Sequence, residues 1–521
     1  MLAVVIREGL VGLATEARSW LGSLDEVAAR DDRLVVWSSG STRLLPLRPT
    51  QVWDLAAVHK VLYGGRRDDP AAVWAAVHDL PAPVAAGDDL ALLDTGLSVV
   101  EDFSDAVCAD GSLHPSSFQL ARVERLAALA LVVQARQQTA LQALPDPRAV
   151  PTGPHLRLVT AWAESAAALL CTELEADGLP FDRTTALDII ASVIGDGDPA
   201  DRDRQVLDLF RGDHVDLRNP ASVREALQRM GIDVPDTRSW RLEAYRAAHP
   251  VVDALLSWRK AERMATTYGY RWIAEHVGHD DRLRGEWTAA DGGAGRMTAS
   301  AGLHSFPAEL RAAVAAEAGH LLIRADLGQV EPRVLAAVSG DPGFAAAAAA
   351  DDLYTPVAER LGCDRPRAKV AVLAAMYGQT SGTAGEALKQ MEVTYPRALA
   401  FLRAAEECGR VGTDVRTHGG RLVRVGSGGV GRYARNAVVQ GAAAELFKAW
   451  AAAVRNRIGD GRIVLCLHDE LLLQVPAIDA EAATQVVHGA LESVAGHWAA
   501  GSGVRFVADV TAVQRWSEAK G

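Results

Sequence analysis

Cysteine is scarce in this 521-residue chain: Cys108, Cys171, Cys363, Cys408 and Cys466, an odd number with no paired ligand spacing. That pattern excludes a disulfide framework and suggests no zinc site. Long uncharged apolar runs are missing, and no basic-then-apolar leader opens the chain, so a cytoplasmic protein without membrane contact is expected. Positive charge is in deficit, with 54 Lys and Arg against 66 Asp and Glu for a net charge of −12. A uniformly basic surface is excluded, but net charge averages over faces. Residues 361–435 hold 12 Lys and Arg against 6 Asp and Glu, whereas residues 79–110 hold eight acids and neither Lys nor Arg. The first stretch can meet an anion, and the second reads as a solvated face. The length suffices for several domains, and no internal repeat is evident.

What is present begins with two acids inside an apolar run. His468-Asp469-Glu470 follows Ile463-Val464-Leu465-Cys466-Leu467 and precedes Leu471-Leu472-Leu473-Gln474-Val475. Apolar segments of that length read as paired buried strands with the acids at their connection. Upstream, His320-Leu321-Leu322-Ile323-Arg324-Ala325 is a short strand ending in Asp326, with Gln329, Glu331 and Arg333 after it. Two strands that each deliver an aspartate at one end can converge on a pair of divalent ions, the clamp for in-line attack at phosphorus. Carboxylates suit Mg²⁺, with Mn²⁺ as a substitute. Taken singly, either acid reads first as a residue that caps a strand or faces solvent.

Between them, Arg365, Lys369, Leu373 and Tyr377 recur every four residues. That spacing predicts one stripe on a helix capped by Asp364, with Pro366 in its first turn and Gly378 at its end. Cations at a helix N-terminus form a polyphosphate site, although a basic solvated face has the same pattern. A second stripe, Arg432, Asn436 and Gln440, precedes Gly441 and helical residues 442–448. Such donors can meet the acceptors that every base pair offers in the minor groove, although amides also bond to neighbouring backbone.

In their order, these segments resemble the polymerase region of family A DNA polymerases of the bacterial DNA polymerase I type, from about Glu173 to the C-terminus. Residues 326–333, closed by Asp341, resemble the first catalytic segment. Residues 365–378 resemble the nucleotide-binding helix, and Leu467-His468-Asp469-Glu470 the second catalytic hairpin. Gly295-Arg296-Met297-Thr298-Ala299-Ser300, with Leu303 and Pro307, resembles the primer–template segment. The resemblance implies an α+β multidomain right-hand polymerase following an RNase H-like α/β exonuclease-type domain. The exonuclease-like domain would span residues 1–150 and the polymerase 151–521. Within the latter, the thumb would occupy about 155–290, the antiparallel-sheet palm 291–350 and 415–521, and the fingers 351–414.

The implied activity is template-directed DNA synthesis by two-metal catalysis in replication or repair. Implied partners are primer–template DNA and deoxynucleoside triphosphates, with a monomeric, nucleoid-associated enzyme. By resemblance, Asp326, Asp469 and Glu470 are catalytic, and the first two hold metal. Arg365, Lys369, Leu373, Tyr377, Gln329, Glu331 and Tyr354 meet the nucleotide, Glu331 by closing the pocket against a 2′-hydroxyl. Arg296, Arg432, Asn436, Gln440 and His468 contact the nascent duplex, and Arg259 and Arg263, one turn apart on a thumb-like helix, either grip duplex phosphates or form a solvated helix face. Leu373, Leu327 and Tyr354 depart from the family's usual aromatic, tyrosine and histidine.

The first 150 residues read as a compact α/β unit, with strands at 34–37 and 44–47 and a helix over 52–62. Neither an Asp-x-Glu on an early strand nor a Tyr-x-x-x-Asp in residues 116–144 occurs, so the exonuclease-like domain reads as degenerate. Family relatives also carry a 5′-nuclease region, expected to be absent here. Residues 145–154, with four prolines or glycines beside Pro145, mark a linker. Residues 345–350 are a low-complexity alanine helix candidate. The competing readings are a nuclease acting through the N-terminal unit and a non-catalytic DNA-binding scaffold.

Overall fold

The computed structural model describes residues 1–519 apart from 47, 66, 82, 84–105, 115–117, 119–120, 196–197, 211–213, 379–382 and 427–429. Most of the acid-rich stretch at 79–110 therefore lies outside the described residues. The chain mixes helix and strand throughout. Among the described residues, no helix is long and apolar enough to cross a membrane.

The N-terminal unit is a five-stranded sheet of Leu2–Arg7, Leu10–Ala14, Ser19–Gly22, Leu34–Val36 and Val52–Asp54. The first strand lies in the middle, antiparallel to the second and parallel to the fourth. Its opening hairpin turns on Glu8 and Gly9, both at positive φ, as a two-residue loop requires. Strict alternation then sends Ala3 and Val5 into one core and Leu2 and Val4 into another, so both faces are covered.

Two local expectations fail here. Residues 44–46 of the strand expected at 44–47 are not a strand, and residue 47 lies outside the described residues. Ser39–Leu44 instead winds into a 3-10 turn, because Thr42 Oγ1 and the Ser38 side chain bond to nearby backbone. The helix expected from Val52 starts at Leu55, because Val52–Asp54 pairs with Leu34–Val36 and Asp54 caps the helix through Ala57 N. Asp54 is the single carboxylate in the five strands. It is buried and accepts from the Ser39 and Ala57 amides.

The expected linker is a pinned strap. Arg148 is buried and donates to Asp146, to the Thr152 and Pro154 carbonyls, and to His497 near the other end of the chain. Prolines shape this segment, but the arginine fixes it. Helix Leu156–Asp177 follows, giving Leu158 and Ala161 to the N-terminal core and Ala167 and Leu170 to the largest core.

The second sheet runs in the order Arg462–Leu467, Glu470–Pro476, His320–Leu327, Ala508–Val513, antiparallel throughout. Helices Gly431–Arg455 and Ala480–Trp498 pack against it. Four helices, Tyr354–Leu361, Arg365–Tyr377, Thr383–Thr394 and Pro396–Arg410, lead from the central strand toward Gly431–Arg455. The alanine tract is helical only as far as Ala347, in the helix Pro342–Ala347 that Asp341 caps. A smaller core gathers Val206, Phe210, Leu227 and Trp258, from the helical stretch between Pro199 and Thr267.

Candidate active site

Asp326 lies at the end of the central strand, directly opposite Glu470 on one neighbour and Asp509 on the other. Residues in direct register share a face, so the three carboxylates crowd together. Asp469 joins them at the two-residue turn between Leu467 and Glu470, where His468 takes a φ of 57°. The hairpin tip is tied to the central strand by the Leu327 N–H donating to the Asp469 carbonyl at 2.9 Å. Burial, then the charge of Asp326, pushes the Asp469 carboxyl up to about 6. Burial raises Asp326 as well, against the pull of Arg324.

Such crowding favours a cation. Among the described residues, no three His, Cys, Asp or Glu side chains are gathered to hold an ion by themselves. That suits Mg²⁺, which takes one or two carboxylates and completes its shell with water and phosphate oxygens. The Asp469 carboxylate has no side-chain donor among the described residues, leaving it open to a ligand.

A cavity of about 310 Å³ opens beside Asp469 and His468, walled by Arg296, Glu331, Tyr377 and Gln440. Glu331 accepts from the Tyr377 hydroxyl at 2.8 Å and from Arg296 Nη2 at 3.3 Å. Burial and Glu331 together push the Tyr377 phenol up to about 12. Helix Arg365–Tyr377 has the expected caps: Asp364 accepts from the Arg367 amide, and Gly378 turns at φ 65°. Its buried side is Ala368, Ala371, Val372 and Ala375, so Arg365 and Lys369 are exposed and Leu373 and Tyr377 half-buried. Arg432, Asn436 and Gln440 likewise form the less buried stripe of helix Gly431–Arg455.

Other expected site residues are engaged within the protein. Glu470 is buried with both oxygens taken, one by Arg324 Nε at 3.0 Å and one by the Trp516 indole at 2.6 Å. Gln329, at positive φ, donates to Asp352 and accepts from the Leu353 amide. Arg365 makes a two-pronged ion pair with Asp352 at 2.9 and 3.0 Å, and this holds the Asp352 carboxyl well below its usual range. Tyr354 is buried, with the Arg365 guanidinium 5.5 Å from its ring centre. Arg259 is half-buried against Thr237, and Arg263 donates to the Ser305 carbonyl. Both arginines of helix Pro250–Thr267 thus have internal acceptors.

Sequence reasoning missed Asp352, Asp509, Arg324 and His304. Asp509 and Arg324 left a signal, a charge inside an apolar strand. His304, whose ring centroid lies 4.7 Å from that of His468, left none, because residues 164 apart meet only in the fold.

The profile of DNA polymerase family A matches residues 211–518. DNA polymerase I of Thermus filiformis is 29% identical over 299 residues, covering 49% of this chain and 36% of that protein. DNA polymerase I of Deinococcus radiodurans is 28% identical over 293 residues, covering 49% and 30%. The matched part thus spans about a third of these relatives. The POL domain of Pol1 from M. smegmatis, in complex with DNA primer-template and dNTP, superposes with a TM-score of 0.68 at 18% identity, covering 99% of this chain and 95% of that one. The fold is therefore shared along the whole chain, and with more than half of its residues matching the family profile, the chain belongs to DNA polymerase family A.

Proposed function

We propose that this chain extends a primer along a DNA template, joining deoxynucleoside triphosphates to a 3′-hydroxyl with release of pyrophosphate. The observation that carries this reading is that Asp326 lies beside Asp469, which lines a cavity walled by Arg296, Gln440, Tyr377 and Glu331. Its relatives' activity and the M. smegmatis complex with primer-template and dNTP support it.

Asp326 and Asp469 would hold two divalent ions, which when bound activate the hydroxyl and stabilise charge on the phosphate. The primer oxygen forms its bond to the α-phosphorus as the bond to pyrophosphate breaks. Arg365 and Lys369 bind the triphosphate, Arg365 exchanging Asp352 for phosphate oxygens. Glu331, fixed by Tyr377 and Arg296, fills the space a 2′-hydroxyl needs. Arg432, Asn436 and Gln440 track the new duplex. Positioning and charge complementarity are the protein's share of the catalysis.

In this reading the four-stranded sheet is the palm, the helices between Tyr354 and Arg410 the fingers, and those between Pro199 and Thr267 the thumb. The N-terminal sheet is an RNase H-like unit whose five strands carry one carboxylate, Asp54, where proofreading would need a cluster of them. Primer extension on a templated oligonucleotide with Mg²⁺ tests the reading. The wild type extends and Asp469→Ala does not; an inert wild type overturns the polymerase assignment, and an active variant overturns the metal assignment. Degradation of labelled primer without nucleotides would favour the nuclease instead.

A further inference from the structure

Arg324 is a buried cation inside a site suited to binding cations. Its side chain is 7% exposed, and each guanidinium nitrogen takes a different carboxylate: Nη2 to Asp326 at 2.7 Å, Nε to Glu470 at 3.0 Å and Nη1 to Asp509 at 3.4 Å. The sheet imposes this arrangement. Arg324 and Asp326 lie two apart on one strand, and Glu470 and Asp509 sit opposite Asp326 on the two neighbours, so all four side chains share a face. The planar fork of arginine can serve three acids at once, whereas an ammonium concentrates its charge at one point. The second oxygen of Glu470 is taken by Trp516, which closes that carboxylate completely. Asp326 keeps one oxygen without a hydrogen bond among the described residues.

We propose that Arg324 is a positioning residue that serves as the resident counter-cation of the carboxylate cluster. It keeps Glu470 and Asp509 from ligating divalent ions and offers them only Asp469 and the free side of Asp326. The proposal rests on the two-metal reading above. Without Arg324, Glu470 and Asp509 would be free to turn toward an ion beside Asp326, and added carboxylate oxygens suit Ca²⁺, which accepts more oxygen ligands than Mg²⁺. With Arg324, the free protein holds divalent ions weakly, and tight binding waits for the phosphate oxygens of the incoming nucleotide. The residue thereby sets which ion is held and when.

The test is Mn²⁺ binding to the substrate-free protein, followed by paramagnetic resonance, for the wild type, Arg324→Gln and Arg324→Lys. Removing one positive charge from the cluster is expected to tighten Mn²⁺ binding in Arg324→Gln by roughly tenfold or more. It should also make primer extension with Mg²⁺ more sensitive to added Ca²⁺. Arg324→Lys keeps the charge, so its Mn²⁺ affinity should match the wild type while turnover falls with the lost fork. Equal or weaker Mn²⁺ binding by a folded Arg324→Gln overturns the proposal. If circular dichroism shows that variant unfolded, Arg324→Lys decides, and a tenfold tightening there overturns it equally. A wild type that neither binds Mn²⁺ nor extends a primer overturns the two-metal reading and this proposal together.

Discussion

His418 packs on Trp498, its ring centroid 4.6 Å away and its Nε2 3.2 Å from the Trp498 carbonyl oxygen. Burial pulls its pKa from 6.5 down to about 4. The folded state therefore binds this proton less tightly than the unfolded chain, and stability is lost as pH falls from about 6.5 toward 4. The loss is at most about 3 kcal/mol. His418→Gln should flatten that acid limb, read from thermal melts between pH 4 and 7. At this scale the sequence was legible where chemistry needs a particular residue type, as at Asp326 and Asp469. It was illegible where a partner is remote: nothing near Arg365 announces its pairing with Asp352, and nothing near Glu470 announces Trp516.

The long helix Gly431–Arg455 passes close to its neighbours at Gly441. A Cβ there would lie 2.5 Å from Thr417 Cγ2 and 3.3 Å from the Ala294 carbonyl oxygen. Neither can retreat easily, since Thr417 is buried and hydrogen-bonded to Glu445. Gly441→Val is expected to cost about 1–3 kcal/mol through overpacking, read as a lower urea midpoint. It should also weaken primer–template binding by moving Gln440 from the cavity wall. The hairpin that carries Asp469 and helix Arg365–Tyr377 were legible as elements because apolar pattern and caps agree with the tertiary environment. Residues 44–46 and 52–54 were not, since hydroxyl groups bonding locally and a parallel strand partner outweigh the apolar pattern.

Across the whole molecule, the N-terminal unit is fastened to the rest by buried charge. Arg148, 1% exposed, pairs with Asp146 at 2.6 Å and reaches His497 in helix Ala480–Trp498. Arg148→Ala would strand a mostly buried carboxylate and is expected to cost about 3 kcal/mol, measured by urea unfolding. A loss below about 0.5 kcal/mol would show the strap to be dispensable. A second tie, in which Glu164 pairs with Arg421 and Lys448, joins helix Leu156–Asp177 to Gly431–Arg455.

The sequence by itself determined the order of motifs, the two aspartates at strand ends, the capped basic helix and the missing Asp-x-Glu. These depend on residues near one another in the chain, where period and turn chemistry act directly. Only the tertiary structure decided that Asp509 and Arg324 join Asp326, that Asp352 holds Arg365, and that the supposed linker is a clamp. Arg324 shares its strand and face with Asp326, but the other contacts close a loop of more than ten residues or cross the sheet, and strand register, which no local pattern specifies, selects the side chains that meet.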